Sequence, residues 1–181
     1  MASLFGHAFA ALSTGSILPS KVNLWKLIAL GMICSIIPDA DVIAFKFGIP
    51  YESIWGHRGF THSFLFAFML SLILTVLFYK NYLFTGSGII ILFYLFISTS
   101  SHLILDALTT GGLGVAAFFP FDNNRYFLPW RPIKVSPIGL GNFFTSRGLA
   151  VIKSELLWVG VPGVLFIGFS YVLKRIFASK S

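Results

Sequence analysis

His57-Arg58-Gly59-Phe60-Thr61-His62-Ser63 runs without interruption into an apolar stretch that ends at Tyr79. This junction decides the fold. From about Phe60 to Tyr79 the chain has the roughly 20 apolar residues an α-helix needs to cross a bilayer core. A membrane-spanning helix therefore starts where two histidines and an arginine stop. Ionisable groups are costly in hydrocarbon, so their gathering at a membrane helix marks a functional site. Gly59 permits a tight turn. Thr61 or Ser63 can cap the new helix and expose its first amides, which attract anions. Arg58 adds a fixed charge suited to phosphate or carboxylate. Taken alone, the block also reads as a polar interfacial loop.

The same pairing of apolar segment and polar end recurs along the chain. Further apolar segments run from about Leu4 to Leu18, Leu24 to Ile37, Leu83 to Leu108 and Leu156 to Ile176. The first two are short for a crossing. His7 lies near the start of the first, and Pro38-Asp39-Ala40-Asp41 follows the second. Ser101-His102-Leu103-Ile104-Leu105-Asp106 lies near the end of the fourth, and Glu155 opens the fifth. If successive segments alternate in direction, all these groups fall at one membrane face. Lys21, Lys26, Lys80, Lys174, Arg175 and Lys180 then fall at the other, with no acid among them. The expected fold is an all-α membrane protein, a single domain over residues 1–181. It is a compact bundle of about five helical segments, and a long interfacial loop over residues 109–153, rich in aromatics, Pro and Arg, caps the polar site.

Composition agrees. Hydrophobic residues make up 56% of the 181, and charged residues only 10%, against roughly 25% in soluble domains. The net charge of +7 does not imply nucleic acid, because the basic residues are spread over short loops and form no stripe. Basic loops suit anionic lipid headgroups. The acid-free basic face has the shorter loops, so it is expected in the cytoplasm, with the site face outside the plasma membrane. No cleavable signal peptide is expected, since the start lacks a basic region before its apolar run. The single Cys34 excludes an internal disulfide. It reads as remote from the site end and without a nearby His, which argues against a cysteine nucleophile. There is no Gly-x-Ser-x-Gly elbow and no glycine-rich phosphate loop.

The four histidines and three of the six acids fall in the quoted motifs. His102 and Asp106, four apart, share one face of a helix. That is a natural bidentate clamp for a metal, although an Asp so placed can also simply accept a hydrogen bond from the His. Asp39 and Asp41 repel each other unless something positive lies beside them. The plainer alternative is a capping loop that faces water. His7, Asp39, Asp41, His57, His62, His102 and Asp106 are the candidate metal ligands. Seven exceed the four of a closed structural zinc site and could serve two ions. Arg58, Asp41 and Glu155 are the candidate catalytic or substrate-contacting groups, and Asp122 is a weaker candidate.

With these residues in hand, the chain resembles the YdjM/YbcI type of bacterial and archaeal membrane proteins, described as LexA-regulated, inner-membrane, predicted metal-dependent hydrolases. The resemblance rests on Pro38-Asp39-x-Asp41, on His57-Arg58-Gly59-x-Thr61-His62-Ser63, and on Ser101-His102-x-x-x-Asp106-x-x-Thr109-x-x-Gly112. His7 and Glu155 fit the pattern too. Val42 departs from it, since a polar residue often follows the second Asp. The resemblance implies an inner-membrane location, metal dependence and hydrolase class. Residues and resemblance together lead to an expected metal-dependent hydrolase, with zinc the first choice of divalent ion and manganese or magnesium the alternatives. Its expected substrate is a membrane lipid or other amphiphile, such as a phosphoester. The competing readings are a non-catalytic membrane protein with a structural metal, and a transporter. A transporter needs polar residues along a path through the bilayer, whereas here they gather at one end.

Overall fold

A computed structural model describes residues 1–19, 23–137, 143 and 145–178. Lys21 and Lys180, expected at the face away from the site, lie outside the described residues.

Ser63 caps the segment that decides the fold. Its hydroxyl accepts from Phe66 N at 3.1 Å, and α3 runs from Phe64 to Tyr79. A short 3-10 turn, Phe60–His62, precedes it, so the helix proper starts four residues later than the apolar run suggests. The other starts also use small polar caps, which satisfy amides that the first turn leaves free. Ser3 caps α1 (Leu4–Gly15), Asn23 caps α2 (Leu24–Cys34), and Thr85 is the N-cap of α4 (Gly86–Ala107).

Two boundaries differ from the sequence reading. The second segment does not stop at Pro38. A 3-10 stretch, Ile37–Phe47, carries on from α2, and together they form an apolar element of 24 residues, Leu24–Phe47. Pro38 sits in its first turn, where the missing N–H costs nothing. Asp39 and Asp41 are therefore helical. The last segment begins at Ser146, ten residues before the apolar run. Its first part, α5 (Ser146–Glu155), carries Arg147 and Lys153, so its polarity hides it from a hydropathy reading. A π-turn, Leu156–Gly160, leads into α6 (Val161–Ala178). Four elements, Leu24–Phe47, Phe64–Tyr82, Gly86–Ala107 and Ser146–Ala178, are long and apolar enough to cross a membrane. The 12-residue α1 rises only about 18 Å.

The centre of the bundle is α4, which packs against α1, α2 and α3. Gly88, Ile91, Leu95, Ser98, His102 and Leu105 are buried along it at the three- and four-residue spacing of one helix face. Packing against α2 is close. A Cβ on Gly31 would lie 2.3 Å from the Tyr94 hydroxyl, and that hydroxyl donates to Ala11 O on α1 at 3.0 Å. By contrast α6 touches mainly α1 and exposes Val164, Leu165, Phe169 and Val172, a surface suited to lipid.

The segments alternate as expected. At the end away from the histidines, Lys174 Nζ on α6 donates to Leu18 O just past α1. At that same end Lys26 on α2 lies over the rings of Phe78 and Tyr79 at the end of α3. Among the described residues the cap between α4 and α5 forms no strand. It has two isolated bridges, Thr109 with Ile133 and Val115 with Tyr126.

Candidate metal centre

The bundle brings His7 from α1, Asp39 from the 3-10 stretch, His62 from the turn before α3, and His102 and Asp106 from α4 into one buried cluster. Each is at most 4% exposed. His62 Nε2 and His102 Nε2 face each other at 2.9 Å. Asp39 Oδ1 lies 3.4 Å from His102 Nε2 and 3.7 Å from His62 Nε2. Asp106 Oδ2 is 3.5 Å from His62 Nε2, and Asp106 Oδ1 is 3.5 Å from His7 Nε2. The His7 ring stacks on that of His102, with centroids 3.8 Å apart. One ligand atom from each of Asp39, His62, His102 and Asp106 falls within 4.8 Å of the others. A tetrahedron with bonds of about 2.0–2.1 Å has edges of roughly 3.3–3.4 Å, a value these separations bracket.

The outer nitrogens fix the tautomers. His102 Nδ1 lies 2.7 Å from Ser35 O; a carbonyl only accepts, so Nδ1 carries the hydrogen and Nε2 presents a lone pair when the ring is neutral. His62 Nδ1 faces Asp41 Oδ2 at 3.2 Å, which likewise leaves Nε2 for the cluster. Two such lone pairs 2.9 Å apart repel unless a proton or a cation lies between them. Burial opposes charge on His62, yet Asp106, Asp39 and Asp41 outweigh it and hold its pKa up at about 10. A proton there does what a cation would do.

The carboxylates differ. Both oxygens of Asp39 and both nitrogens of His7 lack hydrogen-bond partners, although buried polar groups are normally satisfied. Asp106 is intermediate, with Oδ1 accepting from Ala2 N at 2.6 Å and Oδ2 paired with Arg58 Nε. The donor set of imidazole and carboxylate suits zinc and also manganese, so the residues present fit a divalent ion. Asp41 is the opposite. It accepts from Arg58 N at 3.1 Å, from Thr61 Oγ1 at 2.6 Å and from His57 Nδ1 at 2.6 Å, besides facing His62. His57 turns toward Asp41 and stacks on Tyr51. Asp41, His57 and His62 form a second group with metal-ligand geometry, but its carboxylate is already saturated by protein donors.

Arg58 is placed differently from the sequence expectation. It is not an open anion binder. The side chain is fully buried, Nε lies 2.9 Å from Asp106 Oδ2, Nη1 donates to Gly111 O and Nη2 to Thr109 Oγ1. Its backbone takes φ +66°, an uncommon conformation for a residue with a side chain. Gly59 is needed for close approach, since a Cβ there would meet Ile54 O at 2.0 Å; a Cβ on Gly112 would meet Arg58 Nη1 at 2.6 Å. The block Thr109-x-x-Gly112 is thus the cradle of Arg58. Glu155 also lies outside the cluster and accepts from Ser3 N and Ser3 Oγ. Asp122 is half-buried in the cap, away from the cluster, and accepts from Tyr126 Oη and Asn124 N. Cys34, expected far from the site, directly precedes Ser35, whose carbonyl holds His102. Ser35 itself left no sequence signal, because its contribution is a backbone carbonyl.

An α-helical membrane bundle with a buried His/Asp cluster at one end is the class that fold and site define. Residues 1–177 match the family described as YdjM inner membrane protein, and the chain belongs to that family. It is 42% identical over 175 residues to inner membrane protein YbcI of Escherichia coli strain K12, across 97% of this chain and all of that relative. The resemblance drawn from the three motifs is confirmed, and the chain is an inner membrane protein. No solved structure matches it.

Proposed function

We propose that the protein is a metal-dependent hydrolase working at the headgroup level of the membrane. The observation that carries this reading is the convergence of Asp39, His62, His102 and Asp106 within 4.8 Å with both Asp39 oxygens unpartnered. His7 Nε2, also unpartnered, is a fifth donor. A divalent ion held there, zinc by preference, would supply a Lewis acid and an acidified water for attack on an ester or phosphoester. Asp41 orients His62 and His57, Ser35 O orients His102, and Arg58 holds Asp106 in place. The substrate is an amphiphile. The site end faces the extracytoplasmic side, since Lys26, Lys80, Lys174 and Arg175 gather at the opposite, acid-free end.

Full burial of the cluster favours one rival, an ion that only ties helix ends together. Metal analysis of the purified protein, with a panel of lipid esters and phosphoesters assayed in detergent, separates them. The hydrolase reading expects bound metal and turnover that His102→Ala removes. Bound metal without turnover would leave the structural tie. Cysteines placed at Phe84 and Asn124 should label from opposite sides, with Asn124 reached from outside.

A further inference from the structure

Two apolar grooves flank the start of α1. The larger, about 900 Å³, lies between α1 and the last helix, with Phe9, Leu12, Val161 and Leu165 in its walls. Its polar end is Glu155, which Ser3 already occupies, so it offers volume without chemistry. The smaller, about 510 Å³, runs past Phe5 and is walled by Leu4, Phe5, Ile33, Ile36, Ile37 and Val42. It reaches Asp39, whose two oxygens have no partner. Its volume is within the usual range of ligand sites, roughly 300–1,000 Å³.

The surroundings decide what can use it. Leu4, Phe5 and Ile33 are 43%, 74% and 55% exposed, so the mouth of the groove is continuous with the apolar outer surface. On the cap side the cluster is closed by His57 and Arg58, which are 1% and 0% exposed. Arg58 is itself locked under Gly111 and Thr109. A molecule that reaches Asp39 through this groove travels along hydrocarbon walls, and a fully polar one would lose its hydration with nothing in return. We propose that the groove seats one acyl chain of a bilayer lipid, with the lipid's headgroup linkage against Asp39, so that the substrate enters sideways from the membrane. The placement of the headgroup rests on the metal-hydrolase reading; the seating of the chain does not.

The test uses the full chain in vesicles of phosphatidylethanolamine and phosphatidylglycerol. These are doped with a phosphatidylglycerol that carries a photoreactive diazirine on one acyl chain. After illumination, mass spectrometry maps the adducts. Label is expected at Ile33, Ile36 and Ile37 above that at Leu77 and Ile73, which are exposed on α3, line neither groove and serve as markers of bulk lipid contact. Ala40→Trp, or the smaller Ala40→Phe if Trp prevents folding, should fill the groove. The groove then loses most of its label, while label at Leu77 and metal content are unchanged. Groove label no higher than at Leu77, or insensitive to both substitutions, overturns the proposal. A photoreactive residue at position 33 that yields homodimers and no lipid adduct assigns the groove to a second copy and overturns it too. Groove label that persists in a protein without metal or turnover upholds the acyl seat and sinks the hydrolase reading instead.

Discussion

Asp39 and Asp41 stand two residues apart on one 3-10 stretch, yet they occupy opposite situations. Asp41 accepts hydrogen bonds from Arg58 N, Thr61 and His57. Asp39 has none, although its side chain is as buried as that of Asp41. The saturated carboxylate can orient neighbours but has little left to give. The orphaned one is tolerable only beside a cation. Asp106, the second carboxylate of the cluster, stands between the two, since Oδ1 accepts from Ala2 N and Oδ2 pairs with Arg58 Nε while both face histidines of the cluster. What distinguishes a ligand from a support is the hydrogen-bond account, which residue type and spacing do not reveal.

The largest effect should come from the member that belongs to both a cluster and an ion pair. Asp106→Ala removes a ligand and strands the buried Arg58. Breaking a buried pair in this way costs about 3–5 kcal/mol. Thermal unfolding in detergent should show a large fall together with loss of metal. Unchanged stability would mean that Gly111 O and Thr109 Oγ1 suffice to hold the buried guanidinium without Asp106.

Asp39→Asn should separate the two roles. It removes the orphaned charge and no protein cation loses its only partner. Metal binding should fall by more than the roughly 100-fold that losing an orienting partner can cost, while the metal-free protein stays as stable as the parent. A destabilised metal-free Asp39→Asn would show that this carboxylate is a structural acceptor after all.

Asp41→Asn should be milder, with metal affinity about 10–100-fold lower and full occupancy recovered at higher metal concentration. If it erases binding as completely as Asp39→Asn does, the distinction fails, and Asp41 and His57 belong to a second ion.

The smallest effect is a proton. With its pKa held up at about 10, His62 is protonated at neutral pH, and an ion must displace that proton. Loading at pH 8 should release about one proton, and affinity should rise as pH climbs toward 10 and weaken as it falls. Calorimetry in buffers of different ionisation enthalpy reads this directly; no release would mean that His62 is not a ligand.

Much of this was legible in the chain. Apolar runs placed the helices, and the alternation of polar ends foretold which residues would meet. The failures share a cause. Pro38 looked like a stop because hydropathy cannot tell a first-turn proline from a breaker. Ser146–Lys153 looked like cap because an amphipathic turn at the membrane edge has no apolar run. Arg58 looked available to an anion because a sequence shows its charge but not the Gly111 carbonyl and Thr109 hydroxyl that consume its donors. Ser35 was invisible since only its backbone takes part.

The tie between Ser3 and Glu155 spans 152 residues. At about 5–20 residues per second of synthesis, the first helix waits on the order of ten seconds or more for the partner that anchors it. Before α5 arrives, α1 can already pack against α2 and α4, with His7 stacked on His102, but its first turn lacks this tie. A polypeptide cut short before position 155 would keep every residue of the cluster but lose the last spanning element, and Ser3, the cap of the helix that carries His7, would lack its long-range acceptor.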